Sequence, residues 1–118
     1  MMNLVVNGMV KDNEGREFSR LLGGFGEDKP CISDKQIAEI LGYAKGVRQV
    51  RVQINNNIDY FESEHIIDLQ RVHEKDTFEN TLKSIGYASQ SIKQAKNIYI
   101  LSHAGFLWNK IQIRKLIS

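Results

Sequence analysis

The residues best equipped for chemistry in this chain lie in one polar run, from Lys45 to Asn57. Val47, Val50, Ile54, Ile58 and Phe61, in the run and just beyond it, recur at spacings of three and four, which places them on one face of a helix running towards Phe61. Lys45, Arg48, Gln49, Val52 and Asn56 then fall opposite, with Arg51 and Gln53 on the flanks. This set suits the edge of a base pair. Arginine and lysine grip phosphates or donate in pairs to guanine, glutamine and asparagine pair with adenine, and a small apolar group such as Val52 rests on a thymine methyl. The first residues of such a helix usually reach the bases. Lys45, Arg48 and Gln49 are therefore expected at bases or phosphates, and Arg51 and Gln53 on the backbone. Any surface helix has a polar face, so the elements around this one carry the argument.

Those elements occur twice. Ile37 to Leu41 is an apolar helical stretch that leads into Leu41-Gly42-Tyr43-Ala44 and then the polar run. Leu82 to Ile85 leads into Ile85-Gly86-Tyr87-Ala88 and a second polar run, Ser89 to Asn97. Each unit ends in a β-like run, His65 to Leu69 and Ile98 to Leu101. Helix, tight turn containing Gly, polar helix is the pattern of a helix-turn-helix. In the second polar helix, Gln90, Lys93, Lys96 and Asn97 suit contacts to sugar and phosphate, and equally suit a plain solvated face. Tyr43 and Tyr87 could stack on bases, but their repetition favours packing at the elbow.

The rest of the chain supplies a scaffold. Asn3 to Val10 and Glu17 to Leu22 read as two strands of a hairpin around the polar cluster Lys11 to Gly15. Gly23-Gly24-Phe25-Gly26 breaks regular structure. Ser33 reads as a helix N-cap with Gln36 as its capping-box partner, for a helix over Asp34 to Leu41 stopped by Gly42. The next helix should start near Lys45 and run towards Phe61, with Asn55-Asn56-Asn57 a weak point that could end it early. A third helix should cover Thr77 to Ile85, capped by Asp76 or Thr77, and a fourth Ser89 to Lys96. Ser102 should cap a last helix through Trp108. The expected fold class is α+β: a small antiparallel sheet, two helix-turn-helix-like α-α-β units and a C-terminal helix.

Composition narrows the function classes. The 118 residues suit one domain, and 42% hydrophobic with 25% charged residues is ordinary for a globular protein. The net charge of +2 decides nothing about partners; the distribution of charge must. One cysteine, Cys31, forms no internal disulfide and reads as a small apolar filler. No apolar run approaches the ~20 residues of a membrane span, and residues 1–10 lack a signal-peptide pattern, so a cytoplasmic location is expected. The Gly23–Gly26 segment lacks the Walker pattern and the dinucleotide fingerprint. His65, His73 and His103 lack metal-ligand spacing, and the cluster Glu62, Glu64, His65 fits a strand boundary. Neither a cofactor nor a metal is expected. No nucleophile, base and orienting group occur together, so an enzyme is not expected.

Several segments together carry a resemblance to a known family. They are Leu22-Gly23-Gly24-Phe25-Gly26-Glu27, Ile37-Ala38-Glu39-Ile40, Ile54-Asn55-Asn56-Asn57, Ile66-Ile67-Asp68-Leu69, Ile85-Gly86-Tyr87 and Lys96-Asn97-Ile98-Tyr99-Ile100-Leu101-Ser102. From about Val5 to Trp108 the chain resembles phage antirepressors and regulators with an N-terminal DNA-binding domain of the KilA-N type. The resemblance implies a double-stranded DNA partner and a role in phage or prophage gene regulation inside the bacterial host. It also implies that residues 1–118 are either the N-terminal part of a longer protein or a short stand-alone form. It carries over to the first polar helix and to Lys93, Lys96 and Asn97. His103-Ala104 departs from the charged pair expected before Gly105. The rival reading is a protein-interaction module that sequesters a phage repressor or a host defence protein. Placement of Lys45, Arg48, Arg51, Lys93 and Lys96 on one face would favour DNA; scatter would favour the rival. Phe106 to Leu116 leaves a homodimer open.

Overall fold

The computed structural model describes residues 4–11, 15, 17–26, 29–42, 46–71, 75–103 and 105. Strand β1 (Val5–Lys11) turns back into β2 (Glu17–Leu22), and β3 (Pro30–Ser33) passes directly into helix α1 (Asp34–Leu41). Helix α2 (Val47–Asn56), a 3-10 turn over Ile58–Tyr60 and β4 (Ile66–Asp68) follow. Helices α3 (Lys75–Ser84) and α4 (Ser89–Gln94) lead to β5 (Tyr99–Ser102). The strands form one sheet in the order β1-β2-β3-β5-β4, and every neighbouring pair is antiparallel. The fold class is therefore α+β, as the sequence leads one to expect.

Alternation along β5 explains the layering. Successive side chains of a strand point to opposite faces. Ile98 and Ile100 join Leu4, Leu21, Leu69, Phe78, Leu82 and Ile92 in one apolar cluster. Tyr99 and Leu101 join Ile37, Ala38, Val50 and Ile54 in another. The pair α1–α2 thus covers one face of the sheet, and α3–α4 covers the other. β1 contributes little to either cluster and is exposed along its whole length. Among the described residues, no helix is long and apolar enough to cross a membrane.

Helix α1 starts and stops where the capping signals put it. The Ser33 hydroxyl accepts from the Gln36 N–H at 3.2 Å, and Gln36 Oε1 accepts from the Ser33 N–H at 3.0 Å. Gly42 takes the left-handed conformation (φ 66°) that closes a helix with no Cβ to resist it. Other boundaries differ from expectation. Helix α2 begins at Val47 and ends at Asn56, because the Asn55–Asn57 run gives way to a 3-10 turn; Asn57 Nδ2 donates to the Gln53 carbonyl there. Helix α3 begins at Lys75, so Asp76 and Thr77 are helical residues and not caps. β3 is not legible in the sequence: four residues that begin with Pro show too little period to read as a strand, and pairing with β2 and β5 is what makes them one. The expected C-terminal helix lies outside the described residues, apart from its start, where Ser102 Oγ accepts from the Gly105 N–H at 3.2 Å.

Candidate nucleic-acid interface

Helix α2 presents the face its periodicity calls for. Val50 and Ile54 are fully buried against α1 and β5, while Arg48, Gln49, Val52, Asn55 and Asn56 are exposed. Val52 is 50% exposed on the polar face. Arg51 and Gln53 lie half-buried on the flanks. Lys45 lies outside the described residues, and the N-cap is Gly46. Among the described residues, no side chain caps the start of α2, and its first turn has no acidic residue. Its leading N–H groups, with the positive end of the helix dipole and Arg48, favour an anion at that end. Helix α1 contrasts with this, having both a capping box and Asp34 in its first turn.

One flank of α2 is committed inward. Arg51 Nε donates to Asp34 Oδ2 at 2.7 Å, and the Asp34 side chain is fully buried. Burial works against the Arg51 charge, but the adjacent Asp34 carboxylate outweighs it and raises the guanidinium pKa. Asp34 Oδ2 also accepts from the Tyr99 N–H at 3.0 Å, and Asp34 Oδ1 accepts from the Tyr87 hydroxyl. Tyr87 is buried, and its hydroxyl accepts from the Lys35 N–H at 3.2 Å. Burial, then the neighbouring carboxylate, push its phenol pKa well above the usual value. Tyr87 therefore packs the elbow of the second unit; Tyr43 lies outside the described residues. The Tyr99 hydroxyl donates to Asn55 Oδ1, a second polar tie on α2.

The second unit is arranged differently. Gln90, Lys93 and Lys96 are exposed on or just beyond α4, while Ile92 anchors it. Asn97 is half-buried, and its Nδ2 donates to Asp68 Oδ2 at 2.6 Å. Asp68 Oδ1 accepts from the N–H groups of Ile98 and Gln70, so this carboxylate organises the entry into β5. Gln70 Nε2 donates to the Ala95 carbonyl at 2.9 Å beyond the end of α4. The amide of Asn97 is thus used in the fold. Arg48 and Arg51 ride on the layer over one face of the sheet, and Lys93 and Lys96 on the layer over the other.

Sequence reasoning missed Asp34 as more than a helix-start residue. Its partners Arg51, Tyr87 and Tyr99 lie 17, 53 and 65 residues away. The only local signal was an Asp beside an N-cap that already had its capping partner.

Two other places gather reactive groups. Glu62, Glu64 and His65 bring one ligand atom each within 4.8 Å of one another. His65 Nδ1 already accepts from the Glu62 N–H at 3.2 Å, and both carboxylates are exposed. An open hollow of about 720 Å³ is lined in part by Phe25, Lys29, Glu64, Ile67 and His103. Glu64 and His103 are both solvent-exposed there, so the hollow does not enclose an acid–base pair. No protein-family model, curated protein or solved structure matches this chain.

Proposed function

We propose that the chain is a DNA-binding transcriptional regulator of a phage or prophage, of the antirepressor type, acting in the cytoplasm of the bacterial host. It reads duplex DNA with α2, the second helix of a helix-turn-helix-like pair. One observation carries the reading. The solvent face of α2 combines Arg48, Gln49, Val52 and Asn56 at a helix start with no side-chain cap. An uncapped helix start with an adjacent Arg suits a phosphate, and the Gln, Val and Asn that follow suit base edges. Lys93 and Lys96 sit on the opposite layer, so α2 engages the groove alone.

A second reading is favoured by that same separation of charge. The exposed strand β1 carries Val5, Val6, Met9 and Val10, each at least 38% exposed. An apolar edge strand is suited to a protein partner, so the alternative is a module that sequesters a repressor or a host defence protein.

The test is binding to duplex DNA across a salt series. Wild-type protein should show affinity falling steeply with salt. Arg48→Ala should weaken binding and reduce the magnitude of the salt slope by about 1 if Arg48 holds a phosphate. Loss confined to a preferred sequence would instead assign it to a base. Lys93→Ala with Lys96→Ala should leave both affinity and slope near wild type. Absence of binding at low salt sinks the DNA reading and leaves the protein partner.

A further inference from the structure

We infer that Arg51 is a positioning residue: with Asp34 and Tyr87 it fixes how the exposed face of α2 is set on the fold, and it does not itself touch the nucleic acid. The inference rests on the reading of α2 as the DNA-reading helix and deepens it. By sequence Arg51 sits beside Arg48 and looks like one more phosphate ligand. Its geometry is different. The Arg51 side chain is only 19% exposed, and its Nε lies 2.7 Å from a carboxylate that is fully buried.

Asp34 joins three parts of the chain at one carboxylate. Arg51 comes from α2, the Tyr99 N–H from β5, and the Tyr87 hydroxyl from the turn before α4. The Tyr87 hydroxyl in turn accepts from the N–H of Lys35, on the first turn of α1. Among the described residues, Arg51 is the only cationic donor in this set of bonds. Withdrawing it towards a phosphate would leave the Asp34 charge buried with neutral partners alone, and an uncompensated buried carboxylate is strongly unfavourable. The same carboxylate ties α2 to the elbow of the unit on the other side of the sheet. The orientation of α2 therefore depends on Tyr87, a residue that takes no part in its exposed face.

The experiment compares Arg51→Met, the double variant Asp34→Asn with Arg51→Met, and Tyr87→Phe. Each is assayed for urea denaturation midpoint and for duplex DNA affinity across a salt series. Arg51→Met alone should lower the midpoint and weaken DNA binding with the wild-type salt slope. The double variant removes both charges, so it should recover midpoint and affinity towards wild type. Tyr87→Phe should weaken binding with no change of slope. A direct phosphate contact predicts otherwise: the double variant binds no better than Arg51→Met, and its salt slope is lower by about 1. That result overturns the inference. If wild-type protein binds no DNA, the functional reading fails separately, and the midpoints still judge the anchor. Additive losses in the double variant would reject it.

Discussion

At the scale of single residues, the fold depends on a few atoms whose surroundings leave no alternative. A Cβ built on Gly105 would lie 2.2 Å from the His65 carbonyl oxygen, and that oxygen already accepts from the Ser102 N–H at 3.0 Å. Backbone meets backbone here, so no flexible side chain can give way. Gly105→Ala should destabilise the protein by about 2 kcal/mol or more, read from the shift in urea midpoint. Cys31 behaves as the filler its type suggests: burial raises its thiol pKa from 9.0 to about 11, against a smaller opposing effect of its hydrogen bond to the Gly24 backbone. The folded state favours the neutral thiol, so its contribution to stability is complete below pH 9 and is lost as pH rises through 11. Tyr87, whose pKa is also raised, acts in the same direction at higher pH. Denaturation midpoints should therefore fall between pH 8 and pH 10.5, and Cys31→Ala should flatten part of that fall. Native protein at pH 7 should react slowly with thiol reagents, and Cys31 should become reactive on unfolding.

At the scale of elements, α1 is the best-specified piece of the chain. Its capping box closes both ways, and the Gln36 side chain also donates to the Ser19 carbonyl of β2 at 2.7 Å. The cap therefore joins helix to sheet as well as starting the helix. Ser33→Ala should cost about 1 kcal/mol for the lost cap. Gln36→Ala should cost more, because it also leaves the Ser19 carbonyl without that donor. Urea denaturation of the two variants ranks them, and the reverse order would mean the tie to β2 contributes nothing. Helix α2 has the opposite character: no cap at its start, and an interior held by Val50, Ile54 and the ties of Arg51 and Asn55. Such a helix owes its stability to packing more than to its own termini.

At the scale of the whole molecule, β5 is the organising strand. It pairs with β3 on one side and β4 on the other, and its side chains supply both apolar clusters. β1 is the opposite case, an exposed edge whose pairing with β2 is interrupted between Val6 and Met9. Native-state hydrogen exchange should find the slowest amides in β5 and much faster exchange in β1, because local opening is cheapest where few apolar contacts must break. Equal protection across the sheet would mean that β1 is covered in solution, as the interaction reading requires. The same central strand separates the two helical units. It is the reason α2 and α4 pack on different apolar clusters, although their sequence contexts look alike.

Sequence by itself determined what depends on near neighbours. The cap at Ser33, the stop at Gly42, the hairpin of β1 and β2 and the outward face of α2 all follow from residues a few positions apart, whose geometry the backbone fixes at short range. Tertiary structure alone decided the rest. Residues 30–33 became a strand because β2 and β5 offered it partners on both sides. Arg51 and Asn97 turned inward because the buried carboxylate of Asp34 and the half-buried one of Asp68 needed donors. The two similar helix pairs came to lie on opposite faces because alternate residues of β5 point opposite ways. Hydrophobic period records which side of an element is buried. It carries no information about which distant carboxylate, strand edge or sheet face will be waiting there.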